Sequence, residues 1–433
     1  MRVAIIGGGA AGLMCAATIL ETHASAEVFL IERNNELGKK VMISGGGRCN
    51  VTTGIHDVRI VLAKYPRGGK FLSRAMYRFP SDAVYAWFEE HGVPLKTQVD
   101  NRVFPQSDNG RDIVRAFERV FQNSRAHILL NTSCVQVEKN VDTFRLTFAK
   151  DREPLEVDAL VLTTGGQAYR ETGSTGDGYA FASSLGHTIT PLAPSLSALY
   201  ASEAWPKEVS GLSFANATIQ AVIGGGPRLP AGRQAPRRVS AAGPFLFTHK
   251  GISGPAVFAL SSLVAFEPFD AKQPLELRVD LFPDQNLDVI RAQIERSAIE
   301  GANKQFENIL GSIVPHSLAG VMIRELGISD TKRANQVSKK EMAHCAEWLK
   351  GIPLHAVKRG AGDELVTAGG VELSEVDPAT MESKVCPGLF FAGEILNVDA
   401  FTGGFNLQAS WATGRLAGEH AAMKKHCHGD SAR

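Results

Sequence analysis

A chain of 433 residues with a formal net charge of +1 is too long for one small core, and taken whole it gives no electrostatic argument for a nucleic-acid or membrane partner. With 44% hydrophobic and 21% charged residues and 43 glycines, the composition is globular and rich in tight turns, which excludes overall disorder. The six cysteines, at 15, 49, 134, 345, 386 and 427, show neither CxxC nor CxxH spacing, which argues against a zinc site and a disulfide framework. Reduced thiols in a cytoplasmic protein are expected. The N-terminal VAIIGGGAAGLMCAATIL lacks a basic leader and is interrupted by glycines, and no other apolar run reaches about 18 residues, so neither a signal peptide nor a spanning helix is predicted.

In chain order, residues 2–6 form a short β-branched run, followed by a glycine turn at 7–12, a helical pattern to about Glu21, and a second strand, Val28 to Ile31. This order opens a parallel, doubly wound sheet. Residues 80–91 and 109–122 have apolar residues at helical spacing after cap-like Ser81 and Asn109. Alternating runs between about 127 and 162 read as strands that end on a glycine pair. From about 190 the composition shifts, and strand-like ATIQAVI, FLFTH and LELRVDL flank a Pro/Arg-rich segment at 227–238. Residues 286–350 turn helical, and strand signals resume toward GLFFAGEIL before a closing helix at 406–425. The predicted fold is α/β: a Rossmann-type domain in two parts, 1–190 and 351–425, with a β-rich insertion at 191–285, a helical subdomain at 286–350 and a frayed tail at 426–433.

Gly7-Gly8-Gly9-Ala10-Ala11-Gly12 fits G-x-G-x-x-G between a strand and a helix, and Glu32 lies twenty positions past Gly12 at the end of the next strand. Gly7 permits the turn, Gly9 lets a diphosphate approach the backbone, Gly12 lets helix and strand pack, and Glu32, beside Arg33, accepts from ribose hydroxyls. A second candidate helix N-terminus follows Gly393-Glu394, at Gly403-Gly404-Phe405-Asn406-Leu407. Two helix ends aimed at one ligand suit a long cofactor, which favours FAD. No second G-x-G-x-x-G is visible, so NAD(P)H enters only as a candidate electron donor without a domain of its own.

GKKVMISGGGRCNVT, RVFPQSD, FTHKGISGPAVFALSS, TAGGVELSEVDPATMESK and FAGEILNVDAFTGGFNLQ occur in that order, and the chain closely resembles the BaiN/RdsA family of bacterial NAD(P)/FAD-dependent oxidoreductases, also called aminoacetone oxidase-like flavoproteins, from Val3 to about Gly418. The resemblance implies an FAD domain split by a β-barrel-like domain and a small helical domain. It also implies that Ser44, Gly45, Gly46 and Gly47 bring backbone to the flavin, that Lys40, Arg48 and Asn50 supply polar contacts, and that Val135, Thr164 and Gly165 touch the cofactor along with Ala10 and Ala11. Asn397 stands where the family more often has Asp.

Hydride addition to an activated C=C must be completed by a proton, for which Cys49 and His249 are the candidate acids; the alternatives are a small buried thiol and a structural histidine. Residues 59–78 hold six Lys/Arg and no acid, interleaved with Tyr65, Phe71 and Tyr77. Residues 209–266 hold five Lys/Arg and no acid, concentrated over 228–250. Such stretches on loops suit RNA phosphates and bases, against the alternatives of solvated faces and contacts to the FAD diphosphate. The resemblance allows uridine in ribosomal RNA, giving dihydrouridine, or a small steroid-like enone. An aminoketone or amine oxidase and a non-catalytic flavin-containing RNA-binding protein are the rival readings. The oligomeric state is not legible.

Overall fold

Five parallel strands form the sheet on which the N- and C-terminal parts of the chain meet, in the order Leu389–Phe391, Ala159–Leu162, Arg2–Ile6, Glu27–Ile31, Ala126–Leu129. The computed structural model describes residues 1–122, 124–150, 152–224, 237–360, 362 and 364–423. The tail at 426–433, most of the Pro/Arg-rich 227–238 segment and the 228–236 part of the second basic stretch lie outside those residues. The chain divides into two units, one of Met1–Pro194 with Leu365–Arg433 and one of Ser195–Glu364.

In the first unit the strands are β-branched and leucine-rich because both faces are covered: Val3, Ala4 and Ile5 have no exposed surface, and neither do Leu160, Val161 and Leu162. On one face the opening helix Ala10–Thr22 packs against the closing helix Phe405–Ala421. The approach is close because Gly414 and Gly418 face the backbone of Ala11 and Cys15; a Cβ on Gly414 would lie 2.4 Å from the Ala11 carbonyl oxygen. A three-stranded antiparallel layer of Cys134–Lys139, Phe144–Phe148 and Leu155–Val157 adjoins the sheet.

The second unit is a closed six-stranded barrel, with strand order Leu199–Ala201, Gly251–Ser253, Arg237–Thr248, Ser213–Ile223, Leu275–Asp280, Ile352–Arg359. Its core is continuous with that of the helices Leu287–Glu300, His316–Glu325 and Lys339–Lys350, since Phe245, Phe247, Ile294, Met322 and Leu349 belong to one buried cluster. Ile352–Arg359, expected to begin the returning half, instead hydrogen-bonds to Leu275–Asp280 and Leu199–Ala201 and closes the barrel. The helical pattern read at residues 286–350 gives no hint of this, because a strand that closes a barrel is defined by partners far away in sequence. PAVFALSS also forms a helix, Pro255–Leu263, which the sequence reading did not separate.

Candidate cofactor-binding site

The glycine-rich turn lies at the C-terminal ends of the parallel strands, where doubly wound sheets place ligands. Gly12 owes its missing side chain to packing: a Cβ there would lie 1.9 Å from the Gly7 carbonyl oxygen. Gly7 has φ +111, a conformation that favours glycine. Gly9 is different. Its φ is −82°, any residue could adopt its backbone, and a Cβ built there meets nothing within 4 Å. The protein itself therefore gives no reason for glycine at position 9. Gly9 caps the opening helix without a side-chain acceptor, which leaves the first N–H groups, at Ala10, Ala11 and Gly12, facing that open space without intrahelical partners.

Glu32 is 8% exposed and holds the turn in shape: Oε2 accepts from the Gly8 N–H at 2.8 Å, and Oε1 accepts from the Asn34 N–H at 2.8 Å and its Nδ2 at 2.7 Å. Beside it, Arg33 is turned to Thr175 Oγ1 at 2.6 Å and Asp177 at 3.0 Å. Thr163 Oγ1 donates to the Gly7 carbonyl at 2.8 Å, whereas the adjacent Thr164 Oγ1 is buried with no partner among the described residues. Gly165, at φ +74, carries the chain away toward Ser174.

The C-terminal segment reaches the same place. Gly393 sits where a Cβ would be 2.8 Å from that of Ala11, and its N–H donates to Thr413 Oγ1 at 2.9 Å. Glu394 accepts from Lys40 Nζ at 2.7 Å and from the Thr367 N–H at 2.9 Å. Gly404, at φ +87, caps the closing helix without a side-chain acceptor, so the first N–H groups of that helix, through Leu407, also lack intrahelical partners. Phe405 is buried, and its carbonyl accepts from the Tyr65 hydroxyl at 2.5 Å. Asn406 clamps the preceding loop, accepting from the Ala400 N–H at 2.9 Å and donating to its carbonyl at 3.0 Å. Asn397 Oδ1 is buried without a partner among the described residues. Unpaired buried oxygens at Thr164 and Asn397, open space above Gly9 and two uncapped helix ends are what a long polar ligand would complete.

The loop after helix Lys39–Ile43 runs through Gly45, Gly46 and Gly47 at φ +59, +72 and +86. It closes on itself, as the Cys49 N–H donates to the Ser44 carbonyl at 2.8 Å. Asn50 Oδ1 accepts from the Val103 N–H at 3.3 Å. The Arg48 guanidinium lies 4.0 Å from the Phe104 ring centroid and 3.7 Å from Asp108. Cys49 has no exposed surface and a left-handed φ of +60; burial, against a hydrogen bond with Ser44, pushes its thiol up to about 12. Val135 is 55% exposed at an irregularity where Cys134–Lys139 pairs with Phe144–Phe148. His249 lies in the barrel unit, exposed in the turn between Arg237–Thr248 and Gly251–Ser253. The segment 59–78, expected as loop, is largely helical: Val58–Leu62 and Gly69–Arg78.

Sequence reading missed three participants. Thr367 Oγ1 accepts from the N–H groups of Gln167 at 2.7 Å and Ala168 at 3.2 Å while its own N–H holds Glu394. Tyr169 takes a left-handed φ of +57 and places its ring centroid 5.7 Å from Lys40 Nζ, which nothing in the sequence signals. Asp399 is fully buried and paired with Arg67. Its isolated charge in NVDAFTGG was a readable sign that a cation had to come from elsewhere.

The HI0933-like protein Rossmann domain model matches residues 1–420. The 3-dehydro-bile acid delta(4,6)-reductase of Clostridium scindens is 28% identical over 98% of this chain and 99% of its own. The ribosomal RNA dihydrouridine synthase of Haemophilus influenzae is 28% identical over 94% of this chain and 95% of its own, and that of Escherichia coli is 27% identical over the same shares. Among solved structures, a quinol-fumarate reductase with menaquinol molecules superposes with a TM-score of 0.50 at 15% identity, over 100% of this chain and 72% of that one, a likeness of fold.

Proposed function

We propose, for a chain that belongs to the HI0933-like Rossmann-domain family and is an FAD-dependent oxidoreductase, that it reduces a carbon–carbon double bond conjugated with a carbonyl, and that its substrate is uridine in ribosomal RNA. The observation that carries the cofactor assignment is Gly9, a glycine with ordinary backbone and open space where its side chain would be, at an uncapped helix end. The reaction class is supported by what the names of the relatives share. A delta(4,6)-reductase acting on a 3-dehydro steroid and an enzyme that makes dihydrouridine both saturate a ring double bond in conjugation with a carbonyl.

When bound, FAD supplies the hydride, with NAD(P)H as the proposed source of its electrons. The N–H groups of Ala10, Ala11 and Gly12 would hold the diphosphate, and Glu32 would accept from ribose. The backbone of Ser44 to Gly47 and the uncapped helix end at Gly404 to Leu407 would face the ring, where oriented N–H groups favour developing negative charge. Lys40, its ammonium paired with Glu394 at 2.7 Å, would supply a further polar contact to the cofactor. Cys49 and His249 are the proposed proton sources. Because burial pushes its thiol up to about 12, Cys49 keeps its proton throughout the physiological range.

The test is reconstitution. Purified flavin-loaded protein with NAD(P)H and undermodified ribosomal RNA should convert a uridine to dihydrouridine, a gain of two mass units in the nucleoside digest. Reduction of small cyclic enones with no change in RNA would move the substrate assignment to the reading that the bile-acid reductase relative favours, and hydrogen peroxide release from amines would overturn the reaction class.

A further inference from the structure

The basic run at residues 59–78 does not act as one block, because the fold divides its cations. Arg59 pairs with Asp57 at 2.8 Å, Arg67 with buried Asp399, and Arg78 with Glu419 at 2.9 Å. Lys70 and Arg74 have no acidic partner among the described residues, and both are exposed. On the helix Gly69–Arg78 the spacing of residues 70, 74, 77 and 78 places them on one face. Tyr77, on that face, is 60% exposed. Arg74, Tyr77 and Arg78 of this face, but not Lys70, form one wall of an open cleft of about 700 Å³, to which His23 and His420 also contribute. Glu419, the only acid in its lining among the described residues, is already engaged by Arg78 and Arg415.

His23 ends the opening helix and Gly9 begins it. Its 13 residues, at about 1.5 Å each, put the cleft roughly 20 Å from the cofactor turn. The cleft, with Arg74 and Tyr77 in its wall, is therefore set apart from the cofactor turn, whereas Lys70 lies outside it near the start of its helix, whose N-cap Gly68 packs against Asn397 and Val398.

We propose that the Lys70–Arg74–Tyr77 face is a docking surface for single-stranded segments of the RNA substrate, with the two unpaired cations on phosphates and Tyr77 stacking on a base. The charge complementarity is with a polyanion, and the exposed aromatic between cations is the arrangement that single-stranded RNA uses. This rests on the proposed RNA substrate and names where that substrate is gripped away from the chemistry.

The test uses the flavin-loaded full chain and a fluorescent single-stranded uridine-containing ribosomal RNA fragment, titrated over a range of salt concentrations. The double variant K70E/R74E should bind more than about tenfold more weakly at 0.1 M salt, with a log–log salt slope shallower by about 1.4, about 0.7 for each lost phosphate contact. Y77A should weaken binding about tenfold and leave the slope unchanged, because stacking releases no counterions. Melting temperature and flavin absorbance should match the parent in all variants; should K70E/R74E lose either, K70Q/R74Q provides the same slope measurement. Parental RNA binding with equal affinity and slope in the variants would sink the docking face while leaving the uridine reading intact. A parent protein that does not bind RNA at all would overturn both.

Discussion

Lys40 and Glu394, 354 positions apart, meet in a 2.7 Å ion pair in which the side chains are 28% and 17% exposed. The pair ties the helix that precedes the Gly45–Gly47 loop to the end of the last sheet strand. Glu394 is also held by the Thr367 N–H at 2.9 Å, so removing the lysine leaves a mostly buried carboxylate with one neutral donor. Lys40→Met should destabilise the protein by about 1–3 kcal/mol, seen as a lower melting temperature and faster loss of flavin on dilution. Lys40→Arg should restore most of the stability. A Lys40→Met protein that melts with the parent and holds flavin equally well would show that the pair does neither job.

Gly9 and Gly12 provide a contrast within four residues. Gly9→Ala adds a methyl to open space at a φ of −82°, so the flavin-free protein should keep its stability to within about 0.5 kcal/mol. Its affinity for FAD should fall by at least about tenfold, since the methyl occupies the path of the diphosphate. Gly12→Ala forces a methyl to 1.9 Å from the Gly7 carbonyl and should cost about 1–3 kcal/mol or more of folding stability whether or not flavin is present. Equilibrium denaturation of stripped protein and flavin titration separate the two effects. An unchanged FAD affinity in Gly9→Ala would remove the main support for the cofactor assignment.

Cys49 makes the protein sensitive to alkali. Its folded thiol is raised to about 12 by burial, whereas in the unfolded chain it ionises near 9, so the folded state binds the proton more tightly between those values. The stability it contributes is complete below about pH 9 and is lost as pH rises toward 12, at up to about 1.4 kcal/mol per pH unit for this group. Cys49→Ala should make that limb shallower by this one group's share in denaturant titrations at pH 9 to 11, the raised thiols of Cys15, Cys134 and Cys345 retaining theirs. In the native protein at pH 8 the thiol should resist iodoacetamide; rapid labelling would show that it is accessible.

His187 acts in the opposite direction. Its side chain is fully buried between Ser383 Oγ, 2.7 Å from Nε2, and Glu375, 3.1 Å from Nδ1, and burial lowers its proton affinity despite that carboxylate. Ser383 Oγ also accepts from the N–H groups of Val385 at 3.0 Å and Cys386 at 2.7 Å, which marks the trio as a lock on the 375–386 segment. With the folded pKa depressed, the unfolded chain takes up the proton first. Stability is therefore complete above about pH 6.5 and declines as pH falls below it. His187→Gln should lower stability at pH 7.5 yet reduce its slope between pH 6.5 and 5. An unaltered slope would assign the acid sensitivity to other groups.

What could be read along the chain was whatever depends on near neighbours. The strand–glycine turn–helix–strand opening and its acid twenty residues later are legible because the turn, the cap and the hydrophobic period are set within a few residues of each other. Asn109 as a helix cap was readable for the same reason, its side chain accepting from the Arg111 N–H at 3.0 Å. The second glycine edge at Gly393 and Gly404 could be recognised as a turn, but not why it is needed. Its reasons are Ala11 and Thr52, which come close only after folding.

The amino-acid sequence by itself determined a doubly wound sheet, an interruption near residue 190, and two glycine-edged helix starts suited to a long cofactor. Tertiary structure alone decided that Ile352–Arg359 closes a barrel, that Glu394 answers Lys40, and that Arg67 and Arg78 are bound to acids while Lys70 and Arg74 have none among the described residues. The division is physical. Backbone conformation and amphipathic period are local free energies that each segment carries with it. The partner of a buried charge or of a strand edge is fixed by burial and hydrogen-bond demand across hundreds of residues, and becomes determinate only when the whole core has closed.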